Sequence, residues 1–259
     1  MVLAAEGIDA VELAPTKVHP DPLAAPPSFW RAEREFWESR GLGVAALQAI
    51  LFGKPELEIF GDEAVRIATR LHLKGMSAIA AALGARFLVF GAPRNRRRKD
   101  LPAAEAMRRA RDFFKGVGED AAGEGVCIVI EPNPPVYACD FVNRSDEGLE
   151  LVEAVASPGF GLHLDLAGLT LSGESPSAAI RACGEAIRHF HASEPELGPL
   201  GEGGMDHAEA ASALREVAYA GHVSVEMREA AGRPVEAELR RIARFLVRHY
   251  GSVGSPPKT

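Results

Sequence analysis

Residues 161–191, GLHLDLAGLTLSGESPSAAIRACGEAIRHFH, decide how this chain is read. Gly161–Asp165 is a short, largely apolar run that ends on a carboxylate, and Ile187–His191 is another that ends on an imidazole. Between them Pro176–Cys183 has a helical composition, and strand–helix–strand alternation of this kind points to a parallel sheet covered by helices. The rhythm continues in both directions. Further strands are predicted at Ala10–Ala14, Gly43–Ile50, Ala85–Phe90, Val126–Ile130 and Val223–Glu226, which makes seven. Further helices are predicted near Asp62–Leu83, Ala103–Glu119, Ser145–Val155, Asp206–Ala220 and Pro234–Tyr250, with Asp62 and Ser145 as starting caps.

Seven such units without a break in composition favour one α/β domain, a (β/α)8-type TIM barrel over residues 1–250. A doubly wound sheet is the alternative, but no strand is followed by a GxGxxG turn or a phosphate-binding loop. Two segments fall outside the rhythm. Lys17–Phe29 is rich in proline and reads as a long ordered loop or a flap above the barrel. Gly251–Thr259 reads as a disordered C-terminal tail.

Composition sets the outer limits. The chain has 259 residues, of which 47% are hydrophobic and 25% charged, with a formal net charge of −7. That balance fits a globular protein and disfavours a nucleic-acid partner that needs a broad basic face. No apolar run approaches the roughly 18 residues of a membrane span. The start, MVLAAEGIDAVELAP, lacks the basic leader of a signal peptide. Cys127, Cys139 and Cys183 form neither a disulfide framework nor a zinc ribbon, so they read as inert core residues of a cytoplasmic protein.

In an α/β barrel, functional groups stand where strands end. Four consecutive strands end in a candidate metal ligand: Glu131, Asp165, His191 and Glu226. Their side chains converge on the barrel axis as three oxygen donors and one imidazole. Such a set suits one divalent ion (Mn, Mg, Co or Zn) with positions open to a substrate.

The segments IEPNP (130–134), GLHLD (161–165), HFHASE (189–194), LGEGGMDH (200–207) and VSVEMR (223–228) resemble, in this order, the xylose-isomerase-like TIM-barrel superfamily. GIDAVELAPTK (7–17) is similar to that group's second strand. The resemblance implies a sugar isomerase or epimerase in which Glu131, Asp165, His191 and Glu226 hold the metal. It implies that Glu131 and Glu226 also exchange protons with the sugar carbon. It further implies that a first strand and most of a first helix are missing, either by truncation or in an open barrel covered by the Pro-rich segment or a partner subunit. Two positions depart from the pattern. Gly168 stands where sugar epimerases of the group carry a His, and Leu197 where ketose 3-epimerases carry an Arg. Both departures weigh against a free ketose, and DNA repair is disfavoured by the lack of extra strand-end histidines.

Around these ligands, Glu12, Gln48, Asn133, Tyr137, His163, Glu194, His207 and Arg228 are the candidate substrate contacts. His163 and His189 precede Asp165 and His191 by two residues, so they face the same way, and core positions are favoured for both. Asp206 is favoured as a helix cap, with His207 facing the pocket. Arg94–Lys99 (RNRRRK) reads as a solvated loop, or else as an anion clamp at the mouth. The expected partner is a small carbohydrate-like molecule, with a homo-oligomer open. Dehydration of a keto-polyol and ligand binding without turnover are the rival readings.

Overall fold

The computed structural model describes residues 2–254; the expected tail Gly251–Thr259 lies largely outside them. Seven parallel strands are hydrogen-bonded in sequence order: β1 (Ala10–Leu13), β2 (Gly43–Leu47), β3 (Phe87–Phe90), β4 (Cys127–Ile130), β5 (Phe160–Asp165), β6 (Ile187–Ser193) and β7 (Val223–Glu226). They form a nearly closed barrel. No pairing joins β1 to β7 among the described residues, and a lateral cleft opens between these two strands. Strands β3, β4 and β5 are buried along their whole length, whereas β1 and β7 are only half-buried.

Continuous Val, Ile, Leu and Phe runs in the central strands reflect burial on both faces. One face packs under the helices. The other fills the bore, where Ala46, Phe87, Val89, Cys127 and Val129 cluster and Phe87 stacks on His189 at 5.9 Å between centroids. The helices are α1 (Val2–Ala5), α2 (Pro15–Val18), α3 (Pro27–Glu38), α4 (Glu63–Leu83), α5 (Ala103–Gly123), α6 (Ser145–Val155), α7 (Leu166–Leu171), α8 (Pro176–Cys183), α9 (His207–Glu216) and α10 (Val235–Tyr250). Asp62 caps α4 by accepting from Val65 N at 2.9 Å. Ser145 is the first residue of α6 rather than its cap. Its backbone N–H and its hydroxyl both turn to Glu174, while Glu147 reaches back to accept from Asn143 N.

The Pro-rich segment is a correction. Instead of one long loop or flap, it contains α2, a 3-10 turn at Pro22–Ala24, and the start of α3. Proline is well placed at the first position of a helix, where its missing N–H costs nothing. Pro27 starts α3, which buries Trp30 against the core. Nor does this segment cover the open edge: Leu23 packs on Gly75 of α4, and the lateral cleft is flanked by α1 and α10. The cysteines are free and buried, and burial pushes the Cys127 and Cys183 thiols up to about 11.

Glu6, just after α1, accepts from Arg240 and Arg244 of α10 at 2.8 Å each, which ties the two helices together beside the cleft. Hydrogen bonds from Arg244 and Arg240 lower the Glu6 pKa from 4.5 to about 2. A lowered folded-state pKa stabilises at pH above the unfolded value and stops doing so as the carboxylate is protonated. The difference in denaturation midpoint between the wild type and Glu6→Gln is therefore expected to be full above about pH 5 and to shrink toward zero near pH 2. Urea titrations across that window check it, and a difference that persists at the acid end contradicts it.

Candidate metal centre and active site

The C-terminal ends of β4 to β7 bring Glu131, Asp165, His191 and Glu226 together, with one ligand atom from each lying within 4.8 Å of the others. Because three parallel ladders join these strands, with one register shift in the β5–β6 ladder between Leu162 and His163, neighbouring strand ends deliver neighbouring donors. Asp165 is the last residue of β5 and also caps α7, its Oδ1 accepting from Gly168 N at 2.6 Å. Its Oδ2 is buried without a partner. The Nδ1 of His191 likewise lacks a hydrogen bond and lies 3.4 Å from Glu226 Oε2. The Glu131 side chain lies over Gly91, where a Cβ would clash with the carboxylate.

The electrostatics of this cluster ask for a cation. Burial and the nearby Glu226 charge push the Glu131 carboxyl up to about 8. Burial raises Asp165 in the same way. Three carboxyl groups and an imidazole with two unpartnered, inward-facing atoms fit a hard or borderline divalent ion.

Above the cluster lies a cavity of about 760 Å³, a size suited to a small ligand. Gln48, Asn133, Tyr137, Glu194 and Arg228 line it together with Glu131, Asp165 and Glu226. Lys54 and Glu196 also line it, neither of them a site candidate from the sequence, and so does Arg94 from the run read as a solvated loop or an anion clamp. Four residues of the lining, Ala49, Ala92, Glu196 and Leu197, have positive φ although none is glycine. Backbone strain of this kind collects at functional mouths because the surrounding fold holds it there.

Three expected contacts lie elsewhere. His163 is fully buried in the bore with both ring nitrogens unpartnered, and its ring centroid is 4.1 Å from that of His191. His207 is buried away from the mouth. Its Nε2 lies 3.0 Å from Glu194 Oε1 and its Nδ1 lies 2.8 Å from the Tyr250 hydroxyl. Asp206 caps α9 by accepting from Glu209 N. Glu194 itself is fixed by Gly201 N at 2.7 Å and Met205 N at 3.3 Å, so the glycine-rich loop folds around its carboxylate.

Glu12 is the third. It does not line the mouth cavity; its carboxylate is buried in the bore between two imidazoles. Glu12 Oε2 lies 2.7 Å from His189 Nε2, and Oε1 lies 3.0 Å from His191 Nε2. Burial opposes ionisation of Glu12, but the charge of His191 and then His189 outweighs it and holds the carboxyl well below its usual range.

The basic run 94–99 is not a uniformly solvated loop. Arg96 is fully buried, and its Nη2 donates to the Glu131 carbonyl oxygen at 2.6 Å, which fixes the end of β4. Arg98 binds Asp140, Lys99 pairs with Glu58, and Arg94 is the one cation of the run that lines the cavity, beside Asn95. A hexapeptide with five cations carries no periodicity that marks which one turns inward.

The family model described as xylose isomerase-like TIM barrel matches residues 2–249. An L-ribulose 3-epimerase from Methylomonas sp. (strain DH-1) is 27% identical over 186 residues, which are 71% of this chain and 62% of that protein. The fold matches a crystal structure of D-psicose 3-epimerase in the presence of D-fructose, with a TM-score of 0.80 and 21% identity over 96% of this chain and 91% of that one. It also matches the IOLI protein with a bound zinc atom, with a TM-score of 0.77 and 21% identity over 98% and 92% of the two chains.

Proposed function

The chain belongs to the xylose isomerase-like TIM barrel family, and from this we propose that it is a divalent-metal-dependent epimerase or isomerase of a sugar or related polyhydroxy carbonyl compound. The observation that carries the reading is the four-donor cluster at the floor of a mouth cavity. The names of the relatives, both those of similar sequence and those of similar fold, support a carbohydrate-like substrate.

The chemistry follows from the residues. Moving a hydrogen on a carbon beside a carbonyl needs a base to take the proton and an acid to return one. Glu131 directly follows β4 and Glu226 ends β7, with β5 and β6 between them, so a substrate lying over the cluster would meet a carboxyl group from each side. Deprotonation by one and reprotonation by the other inverts the carbon. Return of the proton to the neighbouring carbon moves the carbonyl instead. Glu131, Asp165, His191 and Glu226 are the residues that would hold the ion, which supplies charge stabilisation for the paired oxygens of an enediolate. Asn133, Gln48 and Tyr137 are placed to orient substrate hydroxyls, and Arg228 to meet an anionic substituent.

The experiment is solvent-deuterium exchange. Purified protein supplied with Mn²⁺ and a panel of ketoses and keto-polyols in D₂O is expected to incorporate deuterium beside the carbonyl without loss of mass. Loss of water points to the dehydratase reading. No exchange with any member of the panel overturns the proposal.

A further inference from the structure

The bore below the candidate centre holds a buried carboxylate that the proposed chemistry does not use. Glu12 stands on β1, yet its side chain crosses the barrel to β6 and bonds two imidazoles at once. All three groups are buried, so these bonds are formed away from competing water. An ionised carboxylate only accepts hydrogen bonds, and each imidazole therefore presents an N–H at Nε2. For His191 this decides which atom is free. With Nε2 occupied by its proton, Nδ1 is left without a hydrogen bond, 3.4 Å from Glu226 Oε2 and within the ligand cluster.

We propose that Glu12 is the positioning residue of the metal centre: it holds the His191 proton on Nε2 and so leaves Nδ1 as the ligand atom directed at Glu131, Asp165 and Glu226. This rests on the metal reading of the cluster and adds to it a residue from across the split between β1 and β7. A carboxylate that fixes the far nitrogen of a ligating histidine sets both the ring's orientation and its proton. An amide cannot do this for two imidazoles. Glutamine accepts at its oxygen but donates at its nitrogen, so one ring is left facing a donor and must turn or shift its proton to Nδ1.

The test reads metal binding and the tautomer rather than activity. Calorimetric titration of the metal-free protein with Mn²⁺ is expected to show binding about 10- to 100-fold weaker for Glu12→Gln than for the wild type. His189→Gln removes the other imidazole but keeps a donor for Glu12, and it is expected to stay within about threefold of the wild type. A merely structural role for the buried network would move both variants alike. Long-range ¹H–¹⁵N correlation on the Zn²⁺-loaded wild type, with His191 assigned by His191→Gln, is expected to show the proton on Nε2 and none on Nδ1. Should Glu12→Gln fail to fold, Glu12→Asp replaces it, because the shortened carboxylate cannot reach both rings and is expected to weaken Mn²⁺ binding as well.

Wild-type affinity in the Glu12 variant, or an Nδ1–H tautomer in the wild type, overturns the proposal. A wild type that binds neither Mn²⁺ nor Zn²⁺ overturns the metal reading itself, an outcome distinct from unchanged affinity in the Glu12 variant.

Discussion

Glu131→Gln and Glu226→Gln are each expected to lower deuterium exchange at the substrate carbon by about 10²- to 10⁴-fold, the usual worth of a positioned acid or base. The two glutamines preserve size and keep one oxygen donor, so each variant loses chiefly the ability to carry a proton. Assays at saturating Mn²⁺ separate that loss from weaker metal binding. The variants are expected to remain folded, because burial and like charge already strain this cluster and removing one carboxyl relieves it. Exchange within tenfold of the wild type in either variant contradicts the two-carboxylate mechanism.

Phe114→Ala carries the largest expected effect on stability. Phe114 projects from α5 into the layer between helices and sheet and is fully buried. It stacks on Phe160 at 4.6 Å and meets Phe90 edge-on at 5.2 Å, so one ring joins α5 to the strands β3 and β5. Truncating such a ring removes its transfer energy and leaves a cavity, at a cost of about 3–5 kcal/mol. In a chain of this length that lowers the melting temperature by roughly 10 °C. The ring is not part of the mouth cavity lining, so exchange measured well below the transition is expected to stay close to the wild-type rate. A loss under about 1 kcal/mol by urea denaturation contradicts the assignment.

The strands were legible because both faces of each are buried, and a run such as VCIVI has no other comfortable place. Val223–Glu226, Ser145–Val155 and Pro176–Cys183 have the bounds expected from the sequence. The helix Pro27–Glu38 was hidden by the prolines before it, which serve as its start signal instead of breaking it. The convergence of the four strand-end donors was also legible, since a parallel barrel places all its strand ends on one rim. Glu12 and Arg96 were misplaced for a different reason. A carboxylate at the end of a strand and a cation in a basic loop both read as rim residues. Whether each faces the mouth or turns inward depends on partners 177 residues away for Glu12 and 35 for Arg96.

Among the described residues no ladder joins β1 to β7, so the cylinder has the form of a split ring. Hydrogen bonds clamp β4, β5 and β6 on both flanks, so Glu131, Asp165 and His191 ride on the stiff arc opposite the split. Glu226 rides on the free lip, held by one ladder only. Glu226, which we propose as one of two proton-transfer carboxylates, therefore stands on the less firmly held of the two strands that carry them. The Glu12 side chain, reaching from the other lip to β6, is a spoke that ties the two sides of the split together.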